Sequence, residues 1–408
     1  MKHIFASLVV IVVAASAAWC GEDFAAHREQ ILALGQLTAP PAMQVAEGFA
    51  AEPCMKAVFF DALSWKGKPT KAFAWLGLPA NQAGKVPGIV LVHGGGGTAF
   101  KEWVMKWNER GFAAISIAVE GQTDEPDDAQ PNNRQAWKRH AWAGPARNGI
   151  YQDSDEPLTE QWTYHAVADT VLANSLLRSL PEVDAEKIGL MGISWGGVIT
   201  STVIGIDSRF AFAVPTYGCG HLFDSDNQYG RALGDNRLYR EAWDPMVRMA
   251  RVHMPVLWLT WPEESHFPLD CQAACYRAAP GTRMVSIIPG MGHSHPAGWN
   301  PPDSYAFAES VVRAGGPWCV QSGTDVSGND VRVTFSATKG LDVGVLVSTT
   351  GTGFTGNRKW MESPAQLERR GDSWIATATL PHNTTAWFMN VRSGDLTASS
   401  DYQEGALP

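Results

Sequence analysis

Runs of apolar residues alternate with helical stretches through the middle of the chain. Short apolar runs bounded by turn residues are typical of strands buried on both faces, and they occur as "GIVLVHGGGG", "FAAISIAV", "KIGLMGIS", "FAFAVPTY" and "PVLWLTW". The clearest helical spacing lies between Glu160 and Leu180, with apolar residues at Ala166, Val167, Val171, Leu172, Leu176 and Leu177. Strands that alternate with helices predict an α/β fold, a mostly parallel sheet with helices on both faces.

Two segments interrupt this alternation of strands and helices. A helical and irregular stretch and two strands, "MKAVFFDAL" and "TKAFAWLGLP", come before the alternating region. Residues 121–157 are polar and proline-rich and carry Trp137 and Trp142, and residues 219–252 are irregular and charged. Long loops over the carboxyl edge of such a sheet often build binding sites, so we interpret both as a partial cap with Trp137 and Trp142 as substrate-binding residues. The alternative is that they are surface excursions that do not touch a substrate.

The pattern changes near Pro317. Short segments rich in β-branched and aromatic residues follow, separated by Gly, Asn, Asp and Pro: "DVRVTFSA", "DVGVLVSTT", "WIATATL" and "AWFMNVR". They predict a small all-β sandwich over residues 320–408. We therefore divide the chain into a catalytic domain, residues 19–316, and an accessory domain, residues 317–408.

The first residues, "MKHIFASLVVIVVAASAAWCGED", have a basic start, a short apolar stretch and then small residues. This layout predicts a signal peptide over residues 1–18 and a secreted or periplasmic protein. The apolar stretch is short for a membrane span, and bulky Trp19 disfavours lipid attachment at Cys20, so we expect no stable membrane insertion. The net charge of -9 gives no reason to expect nucleic acid as a partner.

Export would permit disulfides, but the sequence does not reveal which cysteines pair. Cys271 and Cys275 are four residues apart on an expected helix, which suits a zinc or redox pair. Without a second closely spaced pair, buried thiols or separate disulfides are the favoured interpretation, and we expect no metal site.

"GISWGG" places Ser194 between glycines, after the expected strand "KIGLMGI" and before the helical "GGVITSTVIG". A G-x-S-x-G motif between a strand and a helix is typical of a sharp turn that exposes a nucleophilic serine. "VHGGGG" ends an earlier strand with residues that lack side chains, so backbone N–H groups of Gly95 and Gly96, with that of Trp195, are candidates for an oxyanion hole. His93 is interpreted as structural.

A serine nucleophile needs an imidazole base and an orienting carboxylate. The late loop "PGMGHSH" supplies His293, which its preceding glycines favour, and His295 as the alternative. After "PVLWLTW", the segment "PEESHFPLD" supplies the acids Glu263, Glu264 and Asp270 in the chain order of an α/β-hydrolase. Asp270 precedes the expected helix "CQAACYRAA", where aspartate is a preferred N-cap.

Together "HGGGGTA", "GISWGG" and "MGHSH" resemble the α/β-hydrolase superfamily, in particular the secreted dienelactone hydrolase and acetyl xylan esterase-like enzymes, over roughly residues 55–315. Relatives of this kind carry an all-β extension like the one after Pro317. The resemblance implies an α/β-hydrolase fold and places Glu264 at the acid position, although the acid turn reads "WPEE" instead of the usual "G-T-N-D". Dienelactone hydrolase itself uses a cysteine nucleophile, so Ser194 disfavours that reaction.

These residues predict a serine carboxylester hydrolase that needs no cofactor and acts on acylated carbohydrate or a small ester. The carbohydrate preference rests on the resemblance, the expected secretion and the 17 tryptophans of the chain. A prolyl-oligopeptidase-like peptidase is one alternative, disfavoured because the residues before the hydrolase region do not resemble that family's propeller. A carbohydrate-binding protein on a hydrolase scaffold is the other, disfavoured because serine, acid and histidine are all in place.

Overall fold

The computed structural model describes residues 24–50, 54–80, 84–133 and 135–404. The expected signal peptide, residues 1–18, and Cys20 lie outside this part of the chain. In chain order the strands are β1 (Met43–Val45), β2 (Met55–Trp65), β3 (Lys68–Gly77), β4 (Val86–Val92), β5 (Ala113–Ala118), β6 (Gln122–Pro126), β7 (Trp137–Arg139), β8 (Val183–Ile193), β9 (Phe212–Thr216), β10 (Val256–Thr260), β11 (Arg283–Ile287), β12 (Cys319–Ser327), β13 (Asp330–Ala337), β14 (Val343–Thr349), β15 (Met361–Arg370), β16 (Ser373–Thr379), β17 (Ala386–Ser393), β18 (Leu396–Ser399) and β19 (Gln403–Glu404).

The helices are α1 (Phe24–Leu32), α2 (Lys101–Asn108), α3 (Trp162–Arg178), α4 (Trp195–Val203), α5 (Gln228–Leu233), α6 (Leu269–Ala278), α7 (His295–Trp299) and α8 (Asp303–Ala314). The helix expected between Glu160 and Leu180 is therefore confirmed as α3, about two residues shorter at each end. Nearly all of its side chains are buried, because it packs against the sheet and against the neighbouring helix α4.

The central sheet has the order β1-β2-β3-β5-β4-β8-β9-β10-β11. The six strands from β5 to β11 in this order are parallel to one another, and β1, β2 and β3 pair antiparallel at the other side. All residues of β5, β9 and β10 are buried, as the continuous apolar runs predict for strands covered on both faces. The predicted α/β fold with a mostly parallel sheet is confirmed.

Parallel neighbours bring the carboxyl ends of β4, β8, β9, β10 and β11 to one edge of the sheet. The glycine loop follows β4, the serine turn follows β8, the acidic turn follows β10, and the histidine loop follows β11. Ligand sites in such sheets form at this edge. The topology therefore gathers segments that lie as much as about 200 residues apart in the chain.

Both expected cap segments lie over this edge. Residues 121–157 contain the β6–β7 hairpin and place Tyr151 against Trp195, with ring centroids 5.7 Å apart. Residues 219–252 contain α5, a π-helical turn (Tyr239–Trp243) and a 3₁₀ segment (Pro245–Arg251), and they place Tyr229 5.6 Å from the same indole. Aromatic residues from two separate insertions thus enclose the residue that follows Ser194.

The expected C-terminal β-sandwich is confirmed, with one sheet ordered β12-β13-β16-β15 and the other β15-β14-β17-β18. The first half of β15 pairs with β14 and its second half with β16, so this strand belongs to both sheets. The second sheet continues into the central sheet, because β18 pairs antiparallel with β11 through Val285 and Ser399. That the accessory domain begins at residue 317 as an independent unit stays a prediction.

The described cysteines are all free thiols. Cys219, Cys271, Cys275 and Cys319 are buried, and Cys54 is exposed. Burial raises the pKa of the Cys271 thiol, so it remains protonated at neutral pH. Within the described residues, no helix has the length and apolar character needed to cross a membrane.

Candidate active site

Ser194 occupies a strained turn between β8 and α4. Its backbone dihedrals are φ 59° and ψ -118°, a conformation that residues with a side chain rarely adopt. The turn is held by a 3.0 Å hydrogen bond in which the Ser194 N–H donates to the carbonyl oxygen of Thr216 at the end of β9. Strain of this kind at a serine between strand and helix points the hydroxyl out of the sheet.

The glycines around Ser194 let the turn fit between neighbouring strands. A Cβ built on Gly192 would lie 2.0 Å from the carbonyl oxygen of Gly196, and one built on Gly196 would lie 2.0 Å from that of Val92 in β4. Both distances are far below contact, so neither position has room for a side chain. The backbone packs this closely because the helix must begin directly above the sheet.

His293 bridges the serine and an acid. Its Nε2 lies 3.0 Å from Ser194 Oγ, and its Nδ1 lies 2.7 Å from Glu264 Oε2. The imidazole packs against the rings of Tyr217, 4.5 Å away, and Phe267, which is nearly parallel to it at 6.2 Å. These contacts hold the ring in the plane that both hydrogen bonds require.

Glu264 is fully buried in the turn after β10, yet it is surrounded by donors. Its Oε2 accepts from Trp261 Nε1 at 2.8 Å, and its Oε1 accepts from the backbone N–H of His266 at 2.8 Å. Burial alone raises the pKa of the Glu264 carboxyl, but hydrogen bonds with His266, His293 and Trp261 outweigh that effect and lower the pKa to about 2. Glu264 is therefore an anion at neutral pH.

The other candidate acids lie elsewhere. Glu263 is half-buried and has no hydrogen bond or ion pair with another described residue. Asp270 is exposed, and its Oδ1 accepts a 2.9 Å hydrogen bond from the hydroxyl of Thr355. The expectation that Asp270 is the N-cap of its helix is wrong, because α6 begins at Leu269 after Pro268, which leaves Asp270 in the first turn.

His295, the alternative base, is turned toward the glycine loop. Its Nε2 accepts a 2.9 Å hydrogen bond from the backbone N–H of Gly94, whereas the bond to Ser194 comes from His293. Burial, with some repulsion from His93, lowers the pKa of His295 to about 4. His295 is therefore neutral and fixes the glycine loop.

His295→Gln is expected to gain stability relative to the native protein as the pH falls. The pKa of His295 is about 4 in the folded protein and about 6.5 in an unfolded chain, so between these values the unfolded chain binds the extra proton. Native stability from this group is present above pH 6.5 and is lost as the pH falls toward 4, whereas glutamine does not titrate. Urea unfolding measured at about pH 7.5 and about pH 5 should show that the free energy of unfolding of the variant, relative to that of the native protein, rises by roughly 1 to 2 kcal/mol at the lower pH. An unchanged difference would contradict this.

The glycine loop presents free backbone donors next to Ser194. The N–H groups of Gly95 and Gly96 have no hydrogen-bond partner among the described residues, whereas that of Gly94 is bound to His295. Gly95 lies against the residue after the serine, since a Cβ built on it would be 3.1 Å from Trp195 Cδ1. The Trp195 N–H lies in the first turn of α4, where no intrahelical acceptor exists. Gly95 and Trp195 are thus brought together, and Gly96 follows at φ +69°.

His93 is buried beneath this loop. Its Nε2 lies 3.1 Å from both the backbone nitrogen of Val119 and the side-chain nitrogen of Gln122, and burial lowers its pKa to about 4. These contacts fit the structural role expected for it.

The two candidate substrate-binding tryptophans are in different places. Trp137 donates from Nε1 to the carbonyl oxygen of Gly96 at 2.9 Å and lines a cavity of about 170 Å³ beside the glycine loop. Trp142 packs edge-on against Phe59, 5.3 Å away, in a separate groove that it shares with Val45. The structure therefore brings Trp137 to the glycine loop and leaves Trp142 on another surface.

Sequence reasoning missed several residues around the site. The guanidinium of Arg147 lies 5.2 Å from the centre of the Trp195 ring, with an ion pair to Glu120 at 3.5 Å. His266 packs 4.7 Å from His293. Arg147 lies in an irregular insertion without a motif, so nothing in the sequence signalled it. His266 was visible within "PEESHFPLD" and follows the acid by two residues.

Among the described residues, the group with donor atoms spaced for a metal ion is Glu264, His266 and His293, whose atoms lie within 4.8 Å of one another. Glu264 and His293 are already bonded to each other at 2.7 Å. A metal ion bound here would compete with that hydrogen bond.

The sheet order and the strained serine turn define an α/β-hydrolase. A family model described as acetyl xylan esterase (AXE1) matches residues 22–241, more than half of the chain, and the chain belongs to this family. It is therefore a serine hydrolase that acts on carboxylic esters. No curated protein sequence gives a significant match.

Two solved structures show the same fold. An acetyl xylan esterase from Paenibacillus sp. R4 has 21% identity and a TM-score of 0.55, and the match covers 71% of this chain and 95% of that one. Acetyl xylan esterase 1 from Thermoanaerobacterium sp. JW/SL YS485 has 19% identity and a TM-score of 0.52, with 67% and 89% coverage. At these identities the likeness shows the fold alone.

Proposed function

We propose that this protein is a secreted esterase that removes small acyl groups, acetyl above all, from carbohydrate, with Ser194, His293 and Glu264 as a catalytic triad. One observation carries the proposal: hydrogen bonds of 3.0 Å and 2.7 Å join serine, histidine and a buried carboxylate at the carboxyl edge of the sheet. The strained backbone of Ser194 supports its role as nucleophile.

In the first half-reaction His293 Nε2 takes the proton of Ser194 Oγ while that oxygen attacks the acyl carbonyl. The N–H groups of Gly95 and Trp195, with Gly96 beside them, stabilise the oxyanion of the tetrahedral intermediate. His293 then donates the proton to the departing sugar oxygen, which leaves an acyl-serine. Water attacks this ester with His293 as base, His293 returns the proton to Ser194 Oγ as the acyl bond breaks, and the carboxylic acid is released.

Glu264 has a defined task in this cycle. As an anion with a pKa of about 2, it accepts the hydrogen bond from His293 Nδ1 and so keeps Nε2 free to receive the serine proton. It also stabilises the imidazolium that forms when the proton is transferred. The donors from Trp261 and His266 hold the carboxylate in place without neutralising it.

Preference for carbohydrate is supported by the cavity beside the glycine loop. It combines the indole of Trp137 with polar side chains from Gln122, Gln135 and Arg139. An aromatic face with hydrogen-bonding groups at its rim suits a sugar ring, which has apolar faces and polar edges. Membership in the acetyl xylan esterase family supports the same substrate class.

Secretion or export to the periplasm is part of this proposal. It rests on the layout of residues 1–18 and fits a polysaccharide substrate, which a cell meets outside its membrane.

A substrate panel tests the proposal. We expect the purified protein to hydrolyse 4-nitrophenyl acetate faster than 4-nitrophenyl octanoate and to release acetate from acetylated xylan, because the cavity beside the glycine loop is only about 170 Å³ and both cap segments pack against Trp195. Methyl glucuronoyl esters and prolyl peptides are the comparison substrates. Faster turnover of long-chain esters or of prolyl peptides than of acetyl esters would contradict the proposal, and so would binding of xylan without hydrolysis.

A further inference from the structure

A loop of the C-terminal sandwich touches the turn that carries Glu264. This loop, residues 350–360, connects β14 to β15 and contains a short 3₁₀ turn (Thr355–Asn357). A Cβ built on Gly356 would lie 2.8 Å from the carbonyl oxygen of Glu264 and 2.8 Å from Cα of Ser265. The two backbones are therefore in direct contact, with no room for a side chain between them.

The same loop holds the helix that follows the acidic turn. The hydroxyl of Thr355, which is buried, donates a 2.9 Å hydrogen bond to Asp270 Oδ1 in the first turn of α6. The turn from Thr260 to Leu269 is thus fixed by β10 at its start and by the sandwich loop at its end.

The far end of α6 is bound by the last described residues of the chain. The backbone N–H of Tyr402 donates to the hydroxyl of Tyr276 at 2.8 Å, and Arg277 donates to the Tyr402 carbonyl. Arg358 links both attachments, because its guanidinium bonds to the hydroxyl of Tyr402 and to the carbonyl of Gly353 within the loop. The sandwich therefore holds α6 at both ends.

We propose that loop 350–360 is a positioning element of the active site, which sets the place of Glu264 relative to His293. This inference rests on the proposed role of Glu264 in the triad. Catalytic groups must be held within about 0.5 Å of the productive geometry, and a carboxylate on a turn needs external support to achieve that. Gly356 supplies the support by direct backbone contact, and Thr355 supplies it through α6.

A purely stabilising role and a positioning role differ in what they change. If the loop only adds stability, its variants lower the melting temperature and leave the kinetics of the folded protein alone. If it positions Glu264, its variants lower kcat at unchanged KM. They also move the acid limb of the pH profile of kcat to lower pH, because a displaced Glu264 carboxylate stabilises the imidazolium form of His293 less.

The test compares Gly356→Ala and Thr355→Val in the full chain, each with a matched control. Gly340→Ala adds the same methyl group in the sandwich, where a Cβ meets nothing within 4 Å. Thr379→Val removes a threonine hydroxyl that donates to Asp330 at 2.7 Å on the exposed surface of the sandwich. Glu264→Gln is measured beside them, so that the role of the acid is read independently. The assay follows kcat, KM and the pH profile with 4-nitrophenyl acetate.

We expect kcat to fall on the order of 10²-fold in Gly356→Ala and about tenfold in Thr355→Val, with the acid limb at lower pH and both controls within about twofold of the native protein. If Gly356→Ala does not fold, Thr355→Val decides the matter. If the folded loop variants have the native kcat and pH profile while Glu264→Gln is slow, this inference is overturned and the role of Glu264 is not affected. A loss of kcat without the pH shift would also overturn it. Native kcat in Glu264→Gln would refute the acid assignment and this inference with it.

Discussion

Ser194→Ala is expected to lower kcat for 4-nitrophenyl acetate by about 10⁶-fold, the loss seen when the nucleophile of a comparable triad is removed. Without Oγ no acyl-enzyme forms, and His293 has no hydroxyl to activate. The Ser194 side chain has its described hydrogen bond only with His293, so the fold should survive the change. Melting temperature and circular dichroism verify folding, and initial rates give kcat.

Ser201→Ala is the matched control for this experiment. Ser201 lies about two turns further along α4 and donates a buried 2.9 Å hydrogen bond to the carbonyl of Gly218. Its removal should cost stability while most of kcat remains, because the hydroxyl does not face the site. A folded Ser194→Ala with substantial turnover would show that another group attacks the ester.

Glu264→Gln is expected to remain folded and to lose about 10⁴-fold in kcat, as when the acid of a comparable triad becomes an amide. The amide is neutral, so it stabilises the imidazolium poorly. It also presents an N–H group that favours the wrong tautomer of His293. Glu263→Gln and Asp270→Asn are expected to retain far more activity, because neither side chain is bonded to His293.

The same three variants show which acid acts. Near-native kcat in a folded Glu264→Gln, together with collapse in Asp270→Asn, would transfer the role to Asp270. The 2.7 Å hydrogen bond between Glu264 Oε2 and His293 Nδ1 argues for Glu264 as the acid. Asp270 instead supports α6 through its bond with Thr355.

The parallel strands were the most predictable part of the fold. Continuous apolar runs such as "VLWLTW" belong to strands buried on both faces, and their carboxyl ends carry the motif residues. Strands β12 and β15 were not predicted. The pattern of β15 is weak because most of its residues are exposed, and its sequence "MESPAQLERR" is polar apart from a few positions.

The order serine, acid, histidine along the chain was also readable, because each residue follows a strand at a local motif. What the sequence did not disclose depends on tertiary contacts. His295 is two residues from His293 but bonds to Gly94, 201 residues away in the chain. Trp142 was expected near the substrate with Trp137, but the two indoles lie in different grooves. Their roles in binding stay predictions.

The change of pattern near Pro317 correctly indicated a sandwich but suggested a separable unit. The strand pair β11–β18 and the contact of Gly356 with the acidic turn are links between the two parts that the pattern did not reveal, and the division at residue 317 stays a prediction. A backbone contact of this kind has no sequence signature, since glycine is common in any turn-rich loop whether or not another segment packs against it. Truncation near residue 316 would therefore expose β11 as an edge strand and remove the backbone contact between Gly356 and the acidic turn.

Labelling with a fluorophosphonate probe, followed by peptide mapping, tests most directly whether Ser194 is the nucleophile of this esterase. The probe reacts with a serine that a neighbouring base activates, so it reads the chemistry without a choice of substrate. The expected result is one labelled peptide that contains Ser194, no label in Ser194→Ala, and slow labelling in Glu264→Gln. Label on any other serine, or unchanged labelling of Ser194→Ala, would contradict the mechanism.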